Sequence, residues 1–333
     1  MSALRQPGYV NRKPTSKQWR QLAEVAEFYY AEKRTQAEIA DRLGLSRVKV
    51  SRMLTQAMEL GVVEFQVHWD SPRDETLERA LEVAFPGVQA VVVSGVTSSV
   101  PMTIGRFAAA AVEPWLSPGT TVAVSYGRGV YETIRAIPVH HLSDLLVVQM
   151  AGVEGANNPA VDGWELVRYC GDRLGARYLH LPAALFSSSS NLHEALLADT
   201  HIAGVLGRAA NADLAIVGVG SMEVANSSLV RAGHLSAEGL TAAKDAGSVG
   251  YICGQHYDAS GSPLDELNKY TLSLSLSQLR HIKRVLGVAH GLDKAIPLLG
   301  ALRGGFLNMV VTDDIAARAI LDLNLMPDDP LPP

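Results

Sequence analysis

Between residues 16 and 60 the apolar positions recur at helical spacing in three short blocks. Trp19, Leu22, Val25, Ala26 and Tyr29 form one stripe, within a helix predicted over 17–33. Ile39, Ala40 and Leu43 form a second, and Val50, Leu54 and Ala57 a third. Local signals mark the ends of the last two. Thr35 followed by Glu38 has the form of a capping box. Gly44 suits the left-handed residue that ends a helix, Leu45 plugs the angle between the helices, and Ser46 is an N-cap. Gly61 closes the third block, and residues 62–69 alternate like a β-strand. The pattern predicts a support helix, two helices joined by a tight turn, and a wing. This is the layout of a winged helix-turn-helix.

The rest of the chain reads differently. Short apolar, β-branched runs at 89–93, 121–125, 145–150, 177–181, 214–219, 285–289 and 309–312 alternate with helical patterns. The helical patterns fall near 102–115, 129–137, 162–174, 192–209, 236–246, 291–302 and 313–322. Continuous apolar strands separated by amphipathic helices predict a Rossmann-like, mostly parallel α/β sheet covered on both faces. In such a sheet the ligand sits beyond the carboxyl ends of the strands.

Charge divides the chain the same way. Residues 1–60 carry a net charge of +5, and the remainder of the 333-residue chain carries −10. A basic head on an acidic body fits one segment that meets phosphates and another that does not. The expected organisation is a DNA-binding domain over 1–69, a linker over 70–76, an effector and oligomerisation domain over 77–325, and a disordered tail over 326–333. Arg5, Arg12, Lys13 and Lys17 fit either an arm along the DNA backbone or a merely soluble terminus. The two cysteines, Cys170 and Cys253, have no metal-type spacing and read as buried thiols of a reducing cytoplasm. The histidines show no metal spacing either, and no apolar run approaches a membrane span. No cofactor and no metal are expected.

Removing the buried stripe from the third block leaves Arg47, Val48, Ser51 and Arg52 facing solvent, with Lys49 at the side. The planar fork of Arg matches guanine O6 and N7, and a Val methyl matches that of thymine. Lys49 and Gln36 are better placed for phosphates, and Thr35 and Ser46 border the same face. Double-stranded operator DNA is therefore the expected partner. At the strand ends, Ser125-Tyr126-Gly127-Arg128-Gly129 joins a strand to a helix, with glycines that admit an oxyanion and an Arg that adds charge. Gly218–Met222, Met150–Gly155 leading to Asp162, and His290–Lys294 lie at further strand ends. Lys294 in a first helical turn opposes the helix dipole, which a bound anion would relieve.

With these residues the chain resembles the SorC family of bacterial sugar-responsive transcriptional regulators, over residues 17–323. Val50-Ser51-Arg52-Met53-Leu54, residues 213–221, Gly250-Tyr251-Ile252-Cys253-Gly254, Asp293-Lys294-Ala295, residues 301–308 and Thr312-Asp313 carry the likeness together. The resemblance implies an effector domain with the fold of sugar-phosphate isomerases and a pocket for a sugar, polyol or sugar phosphate. It also implies a homo-oligomer, usually a tetramer, whose operator affinity responds to that effector, most simply as a repressor of a catabolic operon. By resemblance, the loop Tyr126–Gly129 and Lys294 hold the phosphate end, and the segment Asp162–Glu165 contacts hydroxyls. The expected effector site comprises Ser125, Tyr126, Gly127, Arg128, Gly129, Asp162, Trp164, Gly220, Tyr251, His290 and Lys294. Four of these depart from the family pattern: Gly129 stands for Thr or Ser, Tyr251 for Asp, Trp164 for Asn and His290 for Gly. Rings in place of small polar groups leave an unphosphorylated sugar or polyol open as effector, with His290 or Tyr251 bonding a hydroxyl. The rival reading is a sugar-phosphate isomerase or aldolase with a DNA-binding head. No fixed spacing among Asp162, Asp258 and His290 demands catalysis.

Overall fold

The computed structural model describes residues 16–63, 73–95, 100–153, 155 and 161–325. The chain divides into two compact units, Met1–Asp70 and Ser71–Pro333.

In the first unit, α1 (Ser16–Ala26) runs into a π-helical turn, Glu27–Ala31. Two helices follow, α2 (Gln36–Leu43) and α3 (Arg47–Glu59). The capping box is present: Thr35 Oγ1 accepts from the Glu38 amide, and Glu38 accepts from the Thr35 amide. Gly44 is left-handed at φ 63°, and Ser46 Oγ accepts from the Lys49 amide at 3.2 Å. Ile39, Val50 and Leu54 are buried together with Val25, Phe28 and Ala40, and Ala57 with Leu22 and Ala26, so the turn is held by local caps and two small clusters. Trp19, assigned above to the support stripe, is 42% exposed; Phe28 is buried instead, with the Arg42 guanidinium 4.4 Å over its ring. Val62 and Val63 pack on Leu22, Ala26 and Ala57. The remainder of the expected wing, the start of the linker and the tail lie outside the described residues, as do Arg5, Arg12 and Lys13.

The second unit opens with α4 (Glu75–Ala84), a helix absent from the sequence prediction. Its start falls inside the segment assigned to the linker. Asp74 caps it, and buried Glu78 binds both Arg73 and the Val92 amide, which ties residues 73–78 to the first strand. All seven predicted strands form: β1 (Gln89–Val93), β2 (Thr121–Val124), β3 (Leu146–Gln149), β4 (Arg177–Leu179), β5 (Leu214–Gly218), then β9 (Val285–Val288) and β10 (Met309–Asp313). They make one parallel sheet in the order β1-β10-β9-β5-β2-β3-β4. Between β5 and β9 lies a small antiparallel sheet of β6 (Gly220–Ser221), β7 (Gly250–Ile252) and β8 (Gln255–Tyr257). The sequence pattern predicts none of these three strands.

The connecting helices are α5 (Val100–Val112), α6 (Arg128–Ala136), α7 (Gly163–Leu174), α8 (Ser190–Ala198), α9 (Thr200–Ala210), α10 (Ser228–Arg231) and α11 (Ala237–Asp245). After them come α12 (Asp265–Asn268), α13 (Leu276–Leu279), α14 (Ala295–Arg303) and α15 (Asp314–Asn324). The single helix expected over 192–209 is two. Asp199 accepts from the amides of His201 and Ile202, so it ends α8 and caps α9. The helices pack in two groups, α5–α6–α7 and α4–α15–α14, with α9 against β2 and β3. The central strands are fully buried, as the apolar runs require.

Strand order determines where a ligand can sit. From β2 the chain moves outward through β3 and β4, then returns to place β5 on the other side of β2. The reversal opens a crevice at the carboxyl ends of β2 and β5, the switch point of the sheet.

Candidate functional site

The first candidate surface is the outer face of α3. Arg47, Val48, Lys49, Ser51 and Arg52 are all exposed, Val48 at 75%. An exposed Val beside three cations is unfavourable in water and suits an apolar contact with a base edge. Thr35 and Gln36 open α2; Thr35 is exposed and Gln36 half-buried. The hydroxyls of Thr35 and Ser46 serve the two helix caps, which leaves the longer side chains to reach DNA.

The second is a cavity of about 770 Å³ at the switch point of the sheet. Ser125, Tyr126 and Gly127 follow β2, Arg128 and Gly129 begin α6, β6 supplies Gly220, and the segment after β9 supplies His290 and Lys294. Tyr251 of β7 completes the set. Nine of the eleven residues expected from sequence therefore meet around one space, although they span positions 125 to 294.

The β2 and β5 ends are joined by Ser125, whose amide donates to the Ile216 carbonyl and whose Oγ accepts from the Gly218 amide. Gly127 then turns the chain at φ 112°, a conformation a side chain would strain. It starts α6 with no capping side chain. The first amides of α6 are therefore open to an anionic ligand, with Arg128 beside them. Gly129 is required by packing: a Cβ there would lie 2.9 Å from the Val288 carbonyl oxygen. The Thr or Ser of the family pattern needs a wider gap between α6 and β9 than this chain has.

Lys294 is held from two sides. Ser221 Oγ donates to the Asp293 carbonyl, and both carboxylate oxygens of Asp313 accept from the Gly291 amide. Asp313 also caps α15 through the Ala316 amide. Asp313→Ala should cost about 1–2 kcal/mol in urea unfolding, because two backbone donors lose their acceptor. Burial pushes the Lys294 ammonium down to about 8, against the attraction of Asp293 at 3.8 Å and with added repulsion from Arg231. His290 is also lowered, mainly by burial.

Sequence reading missed Arg231, which lines the same cavity together with Asn226 and Ser228. The three lie in and before α10, a four-residue helix with no periodic signal. Arg128, Lys294 and Arg231 thus bring three basic side chains to one space, against the single carboxylate of Asp293 among its lining residues.

Two expected residues lie elsewhere. Asp162 is buried as the N-cap of α7, and its carboxylate accepts from the amides of Trp164 and Gly155. It supports the site at one remove, because the neighbouring Val161 carbonyl accepts from the Gly127 amide. The Trp164 ring stacks on His180, with centroids 4.0 Å apart and planes at 7°, away from the cavity lining. Tyr251 lines the cavity, but its hydroxyl is already engaged and is not available to a sugar. It accepts from the Ser228 amide at 3.0 Å and meets the Ser227 and Ser228 hydroxyls at 3.1 Å.

Among the described residues no group of His, Cys, Asp and Glu is placed to hold a metal ion. No helix among them is long and apolar enough to cross a membrane.

Comparison with known proteins covers both parts of the chain. The model of a sugar-binding domain family matches residues 72–322, and that of sigma-70 region 4 matches residues 21–59. The transcriptional regulator LsrR of Enterobacter sp. (strain 638) is 32% identical over 312 residues, covering 91% of this chain and 93% of that protein. The sorbitol operon regulator of Klebsiella pneumoniae is 29% identical over 313 residues, covering 91% of this chain and 98% of that one. The crystal structure of the full-length sorbitol operon regulator SorC from Klebsiella pneumoniae superposes with a TM-score of 0.69 at 26% identity, covering 92% of this chain and all of that one.

Proposed function

We propose, from the premise that this chain belongs to the SorC family of sugar-responsive transcriptional regulators, that its effector is an anionic sugar derivative, a phosphorylated sugar or polyol. The chain is a DNA-binding transcriptional regulator with a sugar-binding domain, and it is not an enzyme. The observation that carries the anionic reading is the meeting of Arg128, Lys294 and Arg231 with the uncapped start of α6. A phosphate can bond all three side chains together, whereas a neutral polyol brings no charge to meet them.

In this reading residues 1–69 hold the operator and residues 77–325 hold the effector and the oligomer contacts. Arg47, Val48, Ser51 and Arg52 read base edges, while Lys49, Gln36 and the ends of the two helices meet phosphates. The protein acts in the cytoplasm as a homo-oligomer that pairs recognition helices for half-sites about one turn apart, and by its family resemblance that oligomer is a tetramer. It represses a carbohydrate or polyol operon, and the effector favours the arrangement with the lower operator affinity. A coupling of about 1–3 kcal/mol changes that affinity roughly 5- to 150-fold.

A thermal-shift series of sugars and polyols paired with their phosphates tests the reading. Phosphorylated members should raise the melting temperature by several degrees, and the unphosphorylated partners should not. The best stabiliser should then alter binding to a promoter fragment in fluorescence anisotropy. Stabilisation by neutral members alone would exclude the anionic effector.

A further inference from the structure

Tyr251 sits in the cavity wall, and its hydroxyl is engaged by the neighbouring segment. Four groups of the neighbouring segment surround that oxygen. The Ser228 amide donates to it at 3.0 Å and the Leu229 amide at 3.4 Å, and the Ser227 and Ser228 hydroxyls lie at 3.1 Å. One phenol has a single proton to give and two lone pairs to offer, so these partners saturate it.

The two amides open α10, whose own N-cap residue, Ser227, makes no side-chain cap bond. Tyr251 therefore does the work of a cap from another part of the chain. At the far end of that single turn stands Arg231, the cation on this side of the cavity. A four-residue helix cannot hold its shape through its own backbone bonds, because each terminal amide and carbonyl still needs an outside partner.

The ring is fixed as firmly as the hydroxyl. Tyr251 is 2% exposed, and a Cβ added at Gly220 would fall 2.1 Å from the ring edge. Gly220 pairs with Tyr251 across β6 and β7, so the glycine is the space the ring occupies.

We propose that Tyr251 is a positioning residue that caps α10 from β7 and so holds Arg231 over the cavity, making anion recognition depend on an oxygen that never touches the anion. This rests on the anionic-effector reading above.

The test is a titration of inorganic phosphate into the full-length protein by calorimetry, comparing wild type, Arg231→Ala, Tyr251→Phe and the double variant. Arg231→Ala should weaken phosphate binding about 10-fold, and Tyr251→Phe roughly 3- to 10-fold. The double variant should be no weaker than Arg231→Ala alone, because both changes remove one interaction. Tyr251→Phe keeps the ring and removes only the capping oxygen. Hydrogen exchange at the Ser228 and Leu229 amides should quicken in it, a readout that does not depend on affinity. If Tyr251→Phe binds phosphate like wild type, if the two losses multiply, or if those amides exchange unchanged, the positioning role is overturned while the effector reading stands. If wild type itself takes up no phosphate or sugar phosphate, it is the anionic-effector reading that fails.

Discussion

Lys294→Met should make the effector-free protein more stable at neutral pH and at the same time deaf to its effector. The lysine side chain is only 17% exposed, and its ammonium is pushed down to about 8 by burial. The unfolded chain keeps an ordinary lysine, so between about pH 8 and 10.5 it binds a proton that the folded protein releases. Stability contributed by this group therefore rises with pH through that window. Below it the folded protein must bury an ammonium, at a cost on the order of 1–3 kcal/mol. Methionine removes that cost with little change in volume, although Asp293 loses its partner at 3.8 Å and takes back part of the gain. The melting temperature at pH 7 should rise, and its increase between pH 8 and 10 should flatten. Binding responds in the opposite sense. An anion favours the protonated lysine, so wild-type affinity for a phosphorylated ligand should fall as pH climbs past about 8, approaching tenfold per pH unit. The variant should lose roughly 100-fold or more in affinity and show no such fall. A variant that binds phosphorylated sugars like wild type would remove Lys294 from the site. The trade between stability and binding is the usual mark of a charge placed for a ligand.

The second large effect belongs to the outer face of α3. Arg47→Ala should cost about 1–3 kcal/mol against the operator and relax preference at one base position, because the lost fork reads a base edge. Lys49→Ala should weaken all duplexes alike and reduce the slope of log affinity against log salt by about 1, because a phosphate contact releases a counter-ion and carries no sequence information. Anisotropy titrations with operator and random duplex at several salt concentrations distinguish the two. Equal losses on both duplexes for both variants would refute the division of roles. Neither side chain supports the fold, since both are exposed and the caps of α3 rest on Ser46 and the Lys49 backbone. Melting temperatures should therefore stay within about a degree of wild type.

What the amino-acid order determined by itself is whatever closes within a few residues. The Thr35–Glu38 capping box, the left-handed Gly44 and the Ser46 cap each join atoms at most four positions apart, and all are present as read. Six of the seven sheet strands were legible as apolar runs of four or five residues, the three-residue β4 by its place in the strand–helix alternation, and Gly127 because a tight turn needs it. Only the tertiary structure could decide what meets across the switch point. The strand order brings residue 125 beside 218, and the small sheet sets residue 251 against 220 and 228. That is why Arg231 escaped notice: it sits on one helical turn with no periodicity, and its place comes from a tyrosine twenty residues further on. It is also why Asp162 and Trp164 fall outside the cavity lining: one caps α7 and the other stacks on a ring, which only the partners at Gly155 and His180 reveal.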